Sequence, residues 1–360
     1  MKKCLRQFGV SGLVLLFWGA TLGFAGNTAQ QKPPIKLGTS GSNVNDFNSS
    51  FCCTGTLGSL VKDGSGNLYI LSNNHVLALS NAGKAGEMIM QRGYADTVPV
   101  CSKTGAVNVA KLSRFVTLNF NGGNNTVDAA IAKVISGQVS ANGMILQIGT
   151  LSAATVNPAL GLKVEKSGRT TARTAGKIAA INVTTSVSGY GPCGMGTKTA
   201  KFVKQFEIDS STFSHPGDSG SLIVTQPAAG KKPNPVGLLF AGNPAATIAN
   251  PINSVLTALH LSFVGAAAEA PMEAPADPEV ERVSEVKDRY DDDLLSLPGV
   301  VGHGVSLSQD GSGRPVIVLF LKDNSVQVEN LPTTIEGVSV ETKITGEFRT
   351  RINCGHRGAK

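Results

Sequence analysis

Charged and aromatic residues are both scarce in this 360-residue chain. Charged residues make up 16% of it and aromatic residues 5%, with one Trp and four Tyr. So low a charge content excludes a coiled coil, a helical repeat array and an acidic disordered protein. The basic residues form no cluster and few rings are available to stack on bases, so we expect no nucleic-acid partner. The 42 Gly and 17 Pro favour short strands joined by tight turns.

Long apolar runs are absent except at the amino terminus. Residues 1–25 begin with Lys2, Lys3 and Arg6, continue with an apolar run over 10–24 and end in small residues, which is the pattern of an export signal. The run is short and interrupted by Ser and Gly, which disfavours a retained membrane anchor. We predict a secreted or periplasmic protein that has no membrane partner once the signal is removed.

Acidic residues are few in the first two thirds of the chain and abundant in the last. Residues 26–265 carry 19 Lys and Arg against 9 Asp and Glu, whereas residues 266–360 carry 10 against 16. At about 150 residues per domain, the length allows two domains. Because opposite potentials attract across a surface, the acidic end is a candidate for intramolecular docking on the basic body. The alternative is that the difference serves solubility alone.

Removal of the signal, which contains Cys4, leaves an odd number of cysteines. The five are Cys52, Cys53, Cys101, Cys193 and Cys354. An oxidising compartment favours disulfides, but at least one thiol must stay unpaired or bond another chain. Vicinal Cys52 and Cys53 are poorly placed to pair with each other, so the first expectation is a bond from one of them to Cys101. No CxxC pair or His-spaced cluster is present, so we expect no metal and no cofactor.

The order of short apolar runs and turns predicts a mainly β fold. Alternating runs separated by Gly, Asn, Asp and Pro favour a β-sandwich or β-barrels before residue 263. A helix is predicted in 250–261, and another in 280–297 with an acidic face opposite its apolar one. The predicted divisions are a signal peptide at 1–25, a flexible lead-in at 26–50, the β domain at 51–265, an Ala/Glu/Pro linker at 266–278 and a small α/β accessory domain at 279–352.

The strongest local motif is PGDSGS at 216–221, which directly precedes an apolar strand. A serine hydroxyl is a weak nucleophile that needs a His to accept its proton, a carboxylate to orient that His and backbone amides to hold the oxyanion. His75 follows an apolar strand and is the only His before residue 215, and Asp128 opens another such strand. Each residue alone has an ordinary structural explanation, but their order with Ser219 favours a catalytic set.

These residues, in the order His75, Asp128, Ser219, resemble the chymotrypsin-like (trypsin-like) serine peptidases over about residues 54–261. More closely, the chain is similar to bacterial trypsin-like proteins related to the plant Narrow leaf family, through SNNH at 72–75, PGDSGS at 216–221 and ANPI at 249–252. The resemblance implies two antiparallel β-barrels packed face to face. It also implies a cleft in which His75 is the general base, Asp128 orients it and Ser219 is the nucleophile.

The resemblance also implies an oxyanion hole and a specificity pocket. The amides of Gly217 and Ser219 would form the oxyanion hole. The implied pocket residues are Phe213, Phe240, Ala241 and Gly242. Because the residue at the pocket base, six before the nucleophile, is an uncharged Phe, we expect small or medium apolar side chains before the scissile bond.

Two departures from such enzymes are visible. No IVGG start exists whose freed amino group could pair with Asp218, so this acid needs another partner. Phe240 stands where many relatives have the Ser that supports the triad carboxylate. An α/β-hydrolase, the competing serine enzyme, needs GxSxG, whereas here the fifth position is Ser221. The histidines after the nucleophile region, His303 among them, are expected to be ordinary surface or boundary residues.

The predicted function is that of an exported serine endopeptidase that hydrolyses polypeptide substrates through an acyl-enzyme. The alternative is a catalytically silent binding protein, or a peptidase held inactive by its own acidic domain. A linker of about a dozen residues holds that domain at an effective concentration near millimolar, so even a weak contact over the cleft would be populated. An independent accessory module is the competing interpretation of the same segment.

Overall fold

A computed structural model describes residues 27–265 and 277–357. The fold is mainly β and contains two antiparallel barrels followed by a small α/β unit, as the sequence predicts. The predicted signal peptide at 1–25 and most of the predicted linker lie outside the described residues. Within the described ranges, no helix combines the length and the apolar character needed to cross a membrane.

The first barrel closes because one of its strands bends. The elements of this half are β1 (Thr39–Asn43), β2 (Phe51–Leu57), β3 (Ser59–Lys62), β4 (Leu68–Ser72), α1 (Asn74–Leu77), β5 (Met88–Gln91), β6 (Val107–Phe115), β7 (Asn124–Asn125) and β8 (Ala130–Val134). Antiparallel pairing follows the order β3–β4–β8–β6–β5–β1–β2. Only Gly58 separates β2 from β3, so both ends of the sheet belong to one bent chain segment. Closure leaves the barrel without free edges, which an antiparallel sheet otherwise exposes.

The predicted lead-in at 26–50 is wrong, because it contains a barrel strand. All five residues of β1 are buried, and the strand pairs with both β2 and β5. Its polar side chains are satisfied inside the barrel: the Ser42 hydroxyl accepts from the Tyr94 amide, and the Asn43 amide donates to the Leu77 carbonyl at 2.8 Å. A polar segment can be buried when the rest of the fold supplies hydrogen-bond partners for its side chains, so polar composition alone does not indicate a flexible segment.

The second barrel is closed by a long strand that pairs on both sides. Its elements are β9 (Lys163–Gly168), β10 (Ala172–Tyr190), β11 (Lys198–Asp209), β12 (Leu222–Thr225), β13 (Pro235–Gly242), β14 (Ala246–Pro251) and α2 (Ile252–Leu259). The short β15 (Ser262–Phe263) that follows pairs with β3 of the first barrel. The order is β10–β9–β12–β13–β14–β11, and β11 pairs back with β10. The helix predicted in 250–261 forms as α2, which buries Ile252, Val255 and Leu259.

The accessory segment joins the second barrel through a continuous sheet. Its elements are α3 (Pro278–Arg289), α4 (Asp291–Ser296), β16 (Val300–Leu307), β17 (Pro315–Leu321), β18 (Thr334–Ile335) and β19 (Val338–Ile344). β16 pairs antiparallel with β10, so the α/β unit extends the barrel sheet. The single helix predicted over 280–297 is interrupted at Tyr290. The last two residues of the predicted linker start α3, where the Asp277 carboxylate caps the Glu279 amide at 2.9 Å.

After β19 the chain returns to the barrels. The last strands are β20 (Phe348–Thr350) and β21 (Asn353–His356). β20 pairs with both β10 and β13 of the second barrel, and β21 pairs antiparallel with β2 of the first. The predicted accessory domain extends to residue 352, but residues 348–356 pair with strands of both barrels. We call residues 348–356 the tail segment.

Candidate active site

Strand pairing in the first barrel brings His75 and Asp128 together. Ser72 at the end of β4 lies opposite Ala130 at the start of β8, so the residues that follow β4 and precede β8 share one end of the barrel. His75 Nδ1 lies 2.6 Å from Asp128 Oδ2, and the His75 amide donates to Asp128 Oδ1 at 3.3 Å. Both side chains are buried. The carboxylate therefore fixes both the ring and the backbone of His75.

A tyrosine from the second barrel supplies the missing support for the carboxylate. The Tyr190 hydroxyl donates to Asp128 Oδ2 at 2.9 Å, and the Asn250 side chain accepts from the Asp128 amide at 2.9 Å. Burial and the neighbouring carboxylate raise the pKa of Tyr190 well above its ordinary value, so the hydroxyl keeps its proton. Tyr190 lies 62 residues from Asp128 along the chain. No local motif marks Tyr190, so its contact with Asp128 could not be predicted from the sequence.

The two asparagines before His75 hold its helix against neighbouring segments. The side-chain amide of Asn73 donates to the Asp128 carbonyl at 2.7 Å, and the side-chain amide of Asn74 donates to the Val116 carbonyl at 2.7 Å. The short helix α1 thus acquires partners on each side. Asn73 thus ties the His75 segment to the main chain of Asp128, and Asn74 ties it to the main chain of Val116.

Ser219 lies in a tight loop that contacts both barrels. Its carbonyl accepts from the Thr56 amide of the first barrel at 2.8 Å, and the next amide, of Gly220, donates to the Leu239 carbonyl of the second barrel at 2.8 Å. Gly220 has φ +91°, and a Cβ there would collide with the Thr56 carbonyl and with Ser72. Only glycine fits at such a position. The PGDSGS motif is therefore also the point at which the barrels meet.

The Ser219 hydroxyl is not hydrogen-bonded to His75 in this structure. Its Oγ donates to the Phe240 carbonyl at 3.1 Å, and within the described residues His75 Nε2 has no hydrogen-bond partner. The buried Nε2 is therefore the free nitrogen of a ring whose other nitrogen is committed to Asp128.

The amides of Gly217 and Ser219 converge on one oxygen, the carbonyl of Arg351 in the tail segment. The N···O distances are 2.5 Å from Gly217 and 3.2 Å from Ser219. Gly217 has φ +107°, a conformation that residues other than Gly rarely adopt. The two residues expected to form an oxyanion hole thus hold a peptide carbonyl of the same chain.

The tail segment lies along the strand predicted to bind substrate. Thr350 pairs with Ala241 and Arg349 with Gly242 in antiparallel register, and the Arg351 amide donates to the Phe240 carbonyl at 3.1 Å. Main-chain pairing of an extended peptide with a sheet edge is a general mode of peptide recognition.

The Arg351 side chain enters the second barrel beside that strand. It is 7% exposed, its Nη2 donates to the Asn243 carbonyl, and its Nε has no partner among the described residues. Burial lowers the pKa of Arg351 to about 10, with the Asp218 charge acting against the shift. Phe213, expected at the base of the pocket, is fully buried in the second-barrel core beside Val164 and Ile178.

Asp218, the acid before the nucleophile, finds its partner in a buried lysine. Lys166 Nζ lies 3.5 Å from Asp218 Oδ2, and both side chains are fully buried. The Thr170 amide and the Thr171 hydroxyl donate to the same carboxylate, each at 2.8 Å. Burial lowers the pKa of Lys166, while the Asp218 charge opposes that shift. The amino group expected from a processed N-terminus is thus replaced by an internal Lys.

The cysteines form one separate pair and one group of three. Cys52 pairs with Cys101, which is the expected type of bond. The Cys53 sulfur lies within bonding distance of both Cys193 and Cys354, and the three sulfur atoms lie within 4.8 Å of one another. One sulfur forms one disulfide, so these three residues hold one bond and one thiol at a time. We call them the cysteine triplet.

The cysteine triplet and His75 line the same cleft. The cavity has a volume of about 200 Å³. Its lining includes His75, the three cysteines, Asp46 and Ile352, the residue after Arg351. The Cys53 amide donates to the Asp46 carbonyl at 2.9 Å. Burial raises the pKa of Asp46 to about 8, and its Oδ2 has no partner among the described residues.

Comparisons with known proteins find one family model and several solved structures that are similar to part of the chain. The family model of the Nal1 C-terminal domain matches residues 120–250, in keeping with the resemblance to the Narrow leaf family. No curated protein matches the chain. Among solved structures, a glutamic-acid-specific serine protease described as using a histidine triad in substrate binding is 19% identical, with 64% of this chain and all of that chain covered and a TM-score of 0.43.

Two further solved structures are similar at the same level. Thermobifida fusca protease A is 17% identical over 64% of this chain and 99% of its own, with a TM-score of 0.41. Cellulomonas bogoriensis chymotrypsin is 18% identical over 64% of this chain and 99% of its own, with a TM-score of 0.39.

Proposed function

We propose that the protein is a serine endopeptidase that cleaves polypeptides through an acyl-enzyme. The observation that carries this proposal is the convergence of the Gly217 and Ser219 amides on one peptide carbonyl oxygen, that of Arg351. Two amides directed at one carbonyl oxygen stabilise the negative charge that develops there when the carbonyl is attacked. The paired His75 and Asp128 supply a base of fixed orientation.

Catalysis begins when the Ser219 hydroxyl turns from the Phe240 carbonyl toward His75 Nε2. Ser219 Oγ attacks the substrate carbonyl carbon as His75 takes the hydroxyl proton, and the oxyanion is held by the amides of Gly217 and Ser219. His75 then gives the proton to the departing amine, which leaves an ester on Ser219. Water repeats the sequence with His75 as base, releases the acid and restores the hydroxyl.

The roles of the supporting residues follow from their contacts. Asp128 accepts from His75 Nδ1, so the free Nε2 is the nitrogen that exchanges protons, and Asp128 stabilises the imidazolium once it forms. Tyr190 keeps that carboxylate in place through a second hydrogen bond. Phe240, Ala241 and Gly242 offer main-chain groups to an extended substrate, as they do to the tail segment.

We also propose that the protein acts outside the cytoplasm. The Cys52–Cys101 disulfide and the export-type sequence at 1–25 support this location, because disulfides persist in oxidising compartments. Mass spectrometry of the protein from culture medium and periplasm would identify the mature N-terminus, which we expect near residue 26. An intact residue 1 in protein that stays in the cytoplasm would contradict this location.

A fluorophosphonate probe tests the proposed chemistry. Such a probe reacts covalently with a serine whose base and oxyanion hole are assembled. We expect an adduct on Ser219, located by peptide mass spectrometry, in the wild type and in a Cys354→Ser variant, and none in Ser219→Ala. The proposal is wrong if Ser219 stays unmodified in both proteins after prolonged incubation, or if Ser219→Ala hydrolyses a protein substrate as fast as its parent.

A further inference from the structure

We propose that the tail segment inhibits the site by binding as a substrate does, and that exchange of Cys53 from Cys354 to Cys193 releases it. This inference rests on the proposed peptidase function. It gives a specific form to the docking that the charge distribution suggests, because the inhibitory contact comes from residues 348–356 rather than from an acidic surface.

The main chain of the tail segment meets the site at every point where a substrate would. Arg351 donates its amide to Phe240 and places its carbonyl oxygen between the amides of Gly217 and Ser219. Its side chain is buried, while Ile352 lines the cleft together with His75. The peptide bond between Arg351 and Ile352 therefore lies where the scissile bond of a substrate would lie.

Both sides of that bond are held, which favours inhibition over cleavage. On one side β20 is clamped between β10 and β13, and on the other side β21 pairs with β2. Within β21, Cys354 lies directly opposite Cys53. Even if the bond were cut, both new ends would stay in place, and religation would compete with deacylation. A segment fixed in this way blocks other peptides at the effective concentration of a tether.

The cysteine triplet provides a way to change the hold on the tail segment. In one arrangement Cys53 is bonded to Cys354, which ties the tail to the first barrel. In the other it is bonded to Cys193, in the loop between β10 and β11, and the tail is held by non-covalent contacts alone. The two arrangements contain the same number of bonds and thiols. Their interconversion therefore needs no oxidant and no reductant.

The exchange is an in-line displacement at sulfur. The Cys193 thiolate attacks Cys53 Sγ, the Cys53–Cys193 bond forms, the Cys53–Cys354 bond breaks, and Cys354 leaves as a thiolate that takes up the proton given up by Cys193. Arg349 lines the same cavity and favours thiolates by its charge. Asp46 also lines it, and because burial raises the pKa of Asp46 to about 8, its carboxyl carries a proton at neutral pH. It can give that proton to Cys354 and regain the one that Cys193 loses, which leaves the overall balance unchanged.

The test compares three full-length proteins: the wild type, Cys193→Ser and Cys354→Ser. Cys193→Ser can form only the Cys53–Cys354 bond, and Cys354→Ser only the Cys53–Cys193 bond. We expect the fluorophosphonate probe to modify Ser219 at least about tenfold faster in Cys354→Ser than in Cys193→Ser, because loss of a tether removes its effective concentration. The wild type should show two phases, one at each rate.

A disulfide map gives a readout that does not depend on activity. Thiols are blocked in acid and the protein is digested without reduction. We expect wild-type peptides joined through Cys53–Cys354 and through Cys53–Cys193, in a ratio that changes during incubation at pH 8 before blocking. A single pairing that stays constant would overturn the exchange, and so would one equivalent of bound zinc in place of a disulfide at Cys53.

The outcomes separate this inference from the proposed function. If neither variant reacts with the probe, the peptidase proposal fails. If both react at one rate, the site is active but the tail does not inhibit it. The control is a double variant, Cys52→Ser with Cys101→Ser, which removes the neighbouring disulfide and leaves the cysteine triplet intact. It should react like the wild type, and acceleration equal to that of Cys354→Ser would attribute the effect to general loosening.

Discussion

Two His–Asp pairs in the described part of the chain differ in the other contacts of the carboxylate, which is fully buried in Asp128 and partly exposed in Asp291. Asp128 is fully buried, lies 2.6 Å from His75 Nδ1 and has no ion pair with Lys or Arg among the described residues. Asp291 lies 2.8 Å from Lys287 and 3.6 Å from Lys201, and its carboxylate is 3.9 Å from His303 Nε2. Because the positive charges of Lys287 and Lys201 already compensate the Asp291 carboxylate, it stabilises a protonated His303 ring only weakly.

The histidines differ accordingly. Burial and then the Lys287 charge lower the pKa of His303 to about 4, against the opposing effect of Asp291, so His303 is neutral near pH 7. Its Nε2 bonds the Asp291 backbone carbonyl at 2.9 Å. His303 was expected at the surface or at a boundary, yet it is fully buried. The other charged partners of the carboxylate therefore decide whether a His–Asp pair is suited to proton transfer or contributes only to the fold.

The largest contrast should come from neutralising each acid in the pair. In the Cys354→Ser background, Asp128→Asn should lower turnover of a peptide substrate by about 10⁴-fold, because the amide no longer holds the imidazole in the required tautomer. Asp291→Asn should leave turnover unchanged, since its side chain does not touch the cleft residues. Equal losses in both variants would show that the two pairs are not distinct in function.

Asp218 extends the comparison to an acid committed to a lysine inside the body. Asp218→Asn leaves Lys166 buried without its counter-charge, which typically costs about 3–5 kcal/mol in the free energy of unfolding. Denaturant titration measures the change. The matched control is Asp310→Asn, whose exposed pair with Arg314 should contribute no measurable shift in midpoint. A small effect at Asp218 would mean that the Thr171 hydroxyl and the Ala172 carbonyl, which also accept from Lys166 Nζ, suffice to hold the buried ammonium group.

The His303 pair should make stability depend on pH. A His whose folded pKa is about 4, below its ordinary 6.5, binds its proton less readily in the folded chain, so folding is favoured above pH 6.5 and that contribution is lost as the pH falls toward 4. Between those values wild-type unfolding free energy should fall by about 3 kcal/mol more than that of His303→Gln. The exposed control His260→Asn should follow the wild type. Parallel curves for wild type and His303→Gln would contradict a neutral buried His.

The smallest effect is expected at the hydrogen bond between Tyr190 and Asp128. Tyr190→Phe removes one donor to the triad carboxylate while His75 and the backbone amide remain. In the Cys354→Ser background, we expect kcat to fall about tenfold with KM unchanged, the size of one hydrogen bond to a charged group. A loss as large as that of Asp128→Asn would mean that Tyr190 orders the whole site.

Sequence reasoning reached the site where its signals are local. Local patterns of a few residues mark the PGDSGS loop, the His75 helix and the strand after Asp128. The positions of Ser219, His75 and Asp128 could therefore be predicted from the sequence. Strand β1 could not be recognised because its side chains are polar, and their partners come from residues as distant as Tyr94 and Leu77.

The remaining features depend on residues far apart in the chain. Lys166 could be identified as the partner of Asp218 only through the pairing of β9 with β12. That Phe213 is buried in the second-barrel core could not be read from its distance to Ser219 in the sequence, and its place at the pocket base stays a prediction. The odd cysteine could be counted, but only the tertiary structure shows that Cys53 has two neighbours, Cys354 from the pairing of β2 with β21 and Cys193 from the loop between β10 and β11.

By itself the sequence determined the alternation that makes the strands, the glycines that the nucleophile loop requires and the order of the three chemical groups, because period-2 burial and turn geometry act over short stretches of chain. Tertiary structure decided which peptide lies in the cleft. Arg351 reaches the amides of Gly217 and Ser219 because β16 extends the second-barrel sheet and the chain later returns as β20, which lies between β10 and β13. Contacts across more than a hundred residues depend on strand register, and register is a property of the folded sheet.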